Sequence, residues 1–101
     1  MFDPCRPYRC SPRVALRPEP FGALAYDFGT RRLSFLKTPE LVRVVRTLES
    51  HDDVHSTLAD AGVPEDRHRA YLAALAGLAE AGTIEPRAEA GTIEPRAEAG
   101  P

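Results

Sequence analysis

The chain has 101 residues, 43% hydrophobic and 28% charged, the composition of a single globular domain with a small core. A core of that size leaves little room for an enzyme pocket, and no apolar run approaches the ~20 residues a membrane helix needs. The net charge of −2 hides a split: residues 1–37 carry seven Lys/Arg against three Asp/Glu, and residues 38–101 carry six against twelve. An acidic partner would be drawn to the first part.

Residues 1–13 hold three prolines and no periodicity, which predicts a flexible N-terminal arm without an apolar secretory signal, and hence a cytoplasmic protein. Cys5 and Cys10 lie in this arm. One such pair is half a structural zinc site at best, and His51, His55 and His68 show no matching ligand spacing, so no metal and no cofactor is expected. A reducing compartment also argues against a disulfide. Val14–Leu16 suits a short strand, which Pro18 and Pro20 stop and keep out of a central position.

"FGALAYDFGTRRLSFLK" (Phe21–Lys37) then predicts two strands around a Gly29-Thr30 turn of type II′. In that register Tyr26 faces Leu33, Ala25 faces Ser34, and Leu24 faces Phe35. Leu24, Tyr26, Leu33 and Phe35 share one face, the expected core side. Asp27, Arg32, Ala25 and Ser34 share the polar one. With Phe28 and Arg31 as the hydrogen-bonded pair at the turn, the main-chain groups of Arg32, Ser34 and Leu36 are expected to point toward an open edge.

Three helices follow. Thr38 caps the first, Pro39 fits its first position, and Leu41, Val44, Val45 and Leu48 form its apolar stripe. The second begins near Asp53, buries Val54 and Leu58, and ends at Gly62. The third starts at Pro64, carries Tyr71, Leu72, Leu75, Leu78 and Ala79 on its apolar side, and closes at Gly82. Thr83 and Ile84 are expected to fold back onto the core. "EAGTIEPRA" occurs at Glu80–Ala88 and again at Glu89–Ala97. This period is too short for a solenoid, and its second copy predicts a disordered duplicated tail over 89–101.

No phosphate-binding glycine loop or nucleophile elbow is present, so no enzymatic activity is expected and no catalytic residue is nominated. Strands followed by helices give an α+β chain resembling a winged helix-turn-helix, which raises nucleic-acid binding as an alternative. Glu65 and Asp66 at the start of the last helix oppose it, because phosphate contacts supply most such affinity.

From Arg17 to Leu48, "RPEPFGALAYDFGTRRLSFLKTPELVRVVRTL" resembles the mycofactocin-system precursor-peptide chaperones. These are small relatives of the D protein of pyrroloquinoline quinone biosynthesis. "YLAALAGLAEAGTI" (Tyr71–Ile84) is similar to that family's closing helix. The resemblance implies a PqqD-like peptide-recognition domain over residues 14–88, with a three-stranded antiparallel sheet followed by three helices. It implies binding of the leader of a ribosomally made precursor peptide and presentation to a radical S-adenosylmethionine maturase, with no membrane or nucleic-acid partner. The expected peptide site is the strand Arg31, Arg32, Leu33, Ser34, Phe35, Leu36 and Lys37, walled by His68, Tyr71 and Leu75 of the last helix.

Overall fold

A computed structural model describes residues 1–87, so the expectation for the duplicated tail lies outside the described residues. The order of elements is β1 (Tyr8–Cys10), β2 (Val14–Glu19), β3 (Gly22–Asp27), β4 (Leu33–Leu36), α1 (Pro39–Thr47), α2 (Val54–Asp60), α3 (His68–Ala81) and β5 (Ile84–Pro86). Single 3-10 turns follow α1 and precede α3. The architecture is α+β: a three-stranded antiparallel sheet β2-β3-β4, three helices, and a separate two-stranded sheet β1-β5.

The flexible arm expected over residues 1–13 is corrected at Tyr8–Cys10, which is a strand paired with β5. Tyr8 and Ser11 are buried, and the Ser11 N–H donates to the Thr83 carbonyl over 2.9 Å. Further out, the Val54 N–H donates to the Pro4 carbonyl over 2.9 Å, so this segment satisfies an orphan donor at the start of α2. Its three prolines mask a strand too short to show periodicity. Thr83 and Ile84 do fold back, and both are buried.

β2 runs on through Pro18 to Glu19 as a sheet edge. The Phe28 N–H donates to the Arg13 carbonyl over 2.8 Å. Hydrogen-bonded pairs therefore fall at Ala15/Tyr26 and Arg17/Leu24, leaving Pro18 to face the open edge, where a missing N–H costs nothing.

The helices have the expected ends. Thr38 Oγ1 accepts the Leu41 N–H over 3.1 Å, and Asp53 Oδ1 accepts the Ser56 N–H over 2.7 Å. Gly82, at φ 83°, takes the left-handed conformation that closes α3. A 3-10 turn over Glu65–Arg67 stands where the first turn of α3 is expected, so the α-helix proper begins at His68.

The core gathers Ala23 and Leu36 from the large sheet with Leu41, Val44, Val45, Leu48, Val54, Leu58, Tyr71, Leu75 and Ile84. The face expected to be buried is thus the wrong one. Ala23, Ala25 and Asp27 alternate inward on β3 with Leu36 on β4, while Leu33 and Phe35 are 49% and 55% exposed. Only two residues link the end of β4 to the start of α1, which carries the helix onto the side of Leu36. Its stripe of Leu41, Val44 and Val45 supplies the bulk there, and small residues opposite let it approach.

Candidate peptide-binding edge

The register Tyr26↔Leu33, Ala25↔Ser34, Leu24↔Phe35 is the one the sequence predicts. The turn is different. Phe28–Arg31 form a four-residue loop in which the Arg31 N–H donates to the Asp27 carbonyl over 2.7 Å and the Asp27 N–H to the Arg32 carbonyl over 2.9 Å. The positive φ falls on Arg31, at 62°, and not on Gly29. Asp27 drives this loop. Its buried carboxylate accepts the N–H groups of Gly29 over 2.8 Å and Thr30 over 3.1 Å, together with the Arg13 guanidinium at 3.3 Å.

The Arg13 hydrogen bond, followed by the backbone N–H of Thr30, holds the Asp27 carboxyl below its ordinary value. A depressed carboxyl stabilises the fold fully above the unfolded pKa of about 3.9 and loses that contribution as pH falls through the lowered folded value. Asp27→Asn is therefore expected to lower the melting temperature at pH 7 by several degrees and to flatten the acid limb of stability below about pH 4. Thermal melts between pH 2 and pH 7 check this. An unchanged acid limb would show that Asp27 is not the group responsible.

With Asp27 and Arg32 paired, the hydrogen-bonded positions are Ala25/Ser34 and Ala23/Leu36. The expected phase of the edge is thus corrected by one residue. Ser34 and Leu36 bond inward to β3, and the main-chain groups of Leu33 and Phe35 face outward. Among the described residues no strand pairs with that side of β4.

The other site residues separate by burial. Arg31, Arg32 and Lys37 are exposed, Ser34 is half-buried on the inner face, and Leu36 and Leu75 are wholly buried in the core. The Tyr71 hydroxyl lies 2.7 Å from Thr38 Oγ1, so α3 is tied to the chain just past β4. The His68 ring, half-buried, donates through Nε2 to the Val63 carbonyl over 2.9 Å, which fixes it to the turn before the helix. Strand and helix are therefore joined at one end of the edge.

Among the described residues no group of His, Cys, Asp and Glu could hold a metal ion. Burial pushes the Cys10 thiol up, away from the thiolate that metal binding and nucleophilic chemistry need. No helix among them is long and apolar enough to cross a membrane.

A family model described as the peptide chaperone MftB family matches residues 7–85. The chain belongs to that family. It is 51% identical over 86 residues to the peptide chaperone MftB of Mycobacterium ulcerans, covering 85% of this chain and 79% of that protein. It is 50% identical over 86 residues to the protein of the same name from Mycobacterium tuberculosis, with the same coverage. Against that of Mycolicibacterium smegmatis it is 49% identical over 85 residues, covering 84% and 83%. No solved structure matches the chain. The MftB relatives are named as chaperones, a non-enzymatic role, in keeping with a chain that nominates no catalytic group. The MftB match begins at Pro7, so it takes in β1 together with the hairpin and all three helices.

Proposed function

We propose that this chain is a cytoplasmic peptide carrier of mycofactocin biosynthesis. It takes the leader of the precursor peptide as a further strand along the free side of β4. It then presents the peptide to a radical S-adenosylmethionine maturase, to which the iron–sulfur chemistry belongs. The observation that carries this reading is the outward pair of backbone groups at Leu33 and Phe35 on a strand that, among the described residues, has no neighbour on that side. An unpaired edge is a template for strand addition, with backbone bonds giving affinity and alternate side chains giving selectivity. The names of the relatives supply the chemical class of the guest.

Within this reading Leu33 and Phe35 touch the peptide through backbone and exposed side chains alike. Ser34, Leu36 and Leu75 shape the edge and its floor from within. Tyr71 and His68 form the wall contributed by α3. The winged helix-turn-helix likeness belongs to the same reading, with the hairpin as the wing. Glu65 and Asp66, exposed ahead of α3, favour peptide over nucleic acid as the guest.

Calorimetric titration of the purified chain with the leader peptide tests the proposal. Saturable one-to-one binding is expected, and no heat or shift at high peptide concentration would refute it. Arg31, Arg32 and Lys37 line the strand with positive charge and favour an acidic leader. Reversing Arg31 and Arg32 to Glu should weaken binding about tenfold at low ionic strength and only about twofold near 1 M salt, where the screening length is ~3 Å. An equal loss at both would mean that the substitutions destroy shape and not attraction.

A further inference from the structure

The strand β1 holds its partner through contacts that are distinct at each residue. The Ser11 N–H donates to the Thr83 carbonyl over 2.9 Å, and the Arg87 N–H donates to the Pro7 carbonyl over 3.2 Å. Between these bonds Ile84 lies opposite Cys10, 1% exposed in the core. The Glu85 carboxylate accepts from the Arg9 guanidinium twice, from Nε over 2.9 Å and from Nη2 over 2.7 Å. Pro86 faces Tyr8 at a non-hydrogen-bonded position of the ladder, where its missing N–H costs nothing. Arg87 donates through Nη2 to the His51 carbonyl. The partner that β1 selects is therefore an extended segment of the order Thr-Ile-Glu-Pro-Arg.

That order occurs twice in the chain. Thr92, Ile93, Glu94, Pro95 and Arg96 repeat residues 83–87 nine positions on, with Gly91 standing before them as Gly82 does before the first copy. Every group that β1 engages is supplied a second time, at the same spacing. We infer that β1 is a strand-receiving site with two interchangeable occupants, β5 and residues 92–96, the second taking the place when the first is lost from it. The inference stands apart from the peptide-carrier reading.

The first copy holds the place in the wild-type chain for a local reason. It continues directly from α3, where Gly82 closes the helix and the Thr83 N–H donates to the Leu78 carbonyl over 2.9 Å. The second copy enters only across a loop of nine further residues, and closing that loop costs entropy while the contacts with β1 are regained. Exchange within one chain outweighs exchange between chains, because a short linker holds the second copy at an effective concentration in the millimolar range.

The double variant Ile84→Asp, Glu85→Arg disables the first copy, since it brings a charge into the core and sets a cation against Arg9. It is compared, as the full chain, with a triple variant that adds Ile93→Asp, with Ile93→Asp alone, and with the wild type. Thermal melting and the hydrogen exchange of the Ser11 amide are the readouts. The double variant is expected to fold and to melt about 10 °C below the wild type, the loop being the main cost, with the Ser11 amide still protected. Adding Ile93→Asp should remove that protection and lower the melting temperature by at least a further ~10 °C. Ile93→Asp alone should change neither. Equal melting of the double and triple variants overturns the inference, whether both fold or neither does. So does a fall in melting from Ile93→Asp alone, which would give residues 92–96 a place of their own. Rescue of the double variant that grows with protein concentration over roughly a tenfold range would mean exchange between chains, and would overturn it likewise.

Discussion

Phe35→Pro should abolish leader binding, with a loss of affinity of about 100-fold or more, in a chain that stays folded. Its N–H faces the open side of β4, so proline removes an edge donor and sets its ring in the path of the incoming strand without breaking a bond to β3. The chain already tolerates this arrangement on its opposite edge, where Pro18 occupies an outward position of β2. Ser34→Pro should behave in the opposite way. Ser34 bonds inward to Ala25, so proline there removes a ladder bond, crowds β3 and unfolds the hairpin. Circular dichroism with calorimetry on both variants separates the outcomes. A folded Ser34→Pro chain beside an unfolded Phe35→Pro chain would reverse the phase of the edge.

Gly22→Ala should cost about 3 kcal/mol of stability, from overpacking against backbone that cannot step aside. A Cβ at Gly22 would lie 2.1 Å from the Leu36 carbonyl oxygen and 3.1 Å from the Thr38 nitrogen. Both neighbours are main chain, at the point where β4 ends and the cap of α1 begins. Relief therefore requires β4 to move away from β3, which disturbs the end of the strand proposed to receive the peptide. Against a total of about 5–15 kcal/mol for a domain this is a large fraction, and leader binding should weaken along with it. Urea unfolding reads the loss directly. A midpoint equal to that of the wild type would mean that the turn from sheet to helix is looser than its contacts indicate.

The hairpin register was legible because a slip of one residue mixes two distinct sets of side chains. The helix caps were legible because Thr38, Asp53 and Gly82 each act locally. What sequence could not convey was which face of the hairpin meets the helices. Leu24, Tyr26, Leu33 and Phe35 are the more apolar set, and burial by composition alone selects them. The two-residue link from Leu36 to Pro39 selects the other side, and with it the alanines. The same limit shifted the edge by one residue. A Gly-Thr dipeptide suggests a two-residue turn, but the Asp27 carboxylate gathers the Gly29 and Thr30 N–H groups and makes a four-residue loop, which reverses which amides face outward. β1 escaped notice because its partner, β5, lies far along the chain and neither strand exceeds three residues.

In the proposed complex the outward side of β4 receives the peptide strand through Leu33 and Phe35. Residue-resolved amide hydrogen exchange, with and without saturating leader peptide, tests it most directly. In the free chain the amides of Ser34 and Leu36 should already be protected by their bonds to β3, and those of Leu33 and Phe35 should exchange fast. On addition of the peptide, Leu33 and Phe35 should slow markedly while Ser34 and Leu36 change little. Bound peptide that leaves the Leu33 and Phe35 amides exchanging as before would contradict strand addition at this edge.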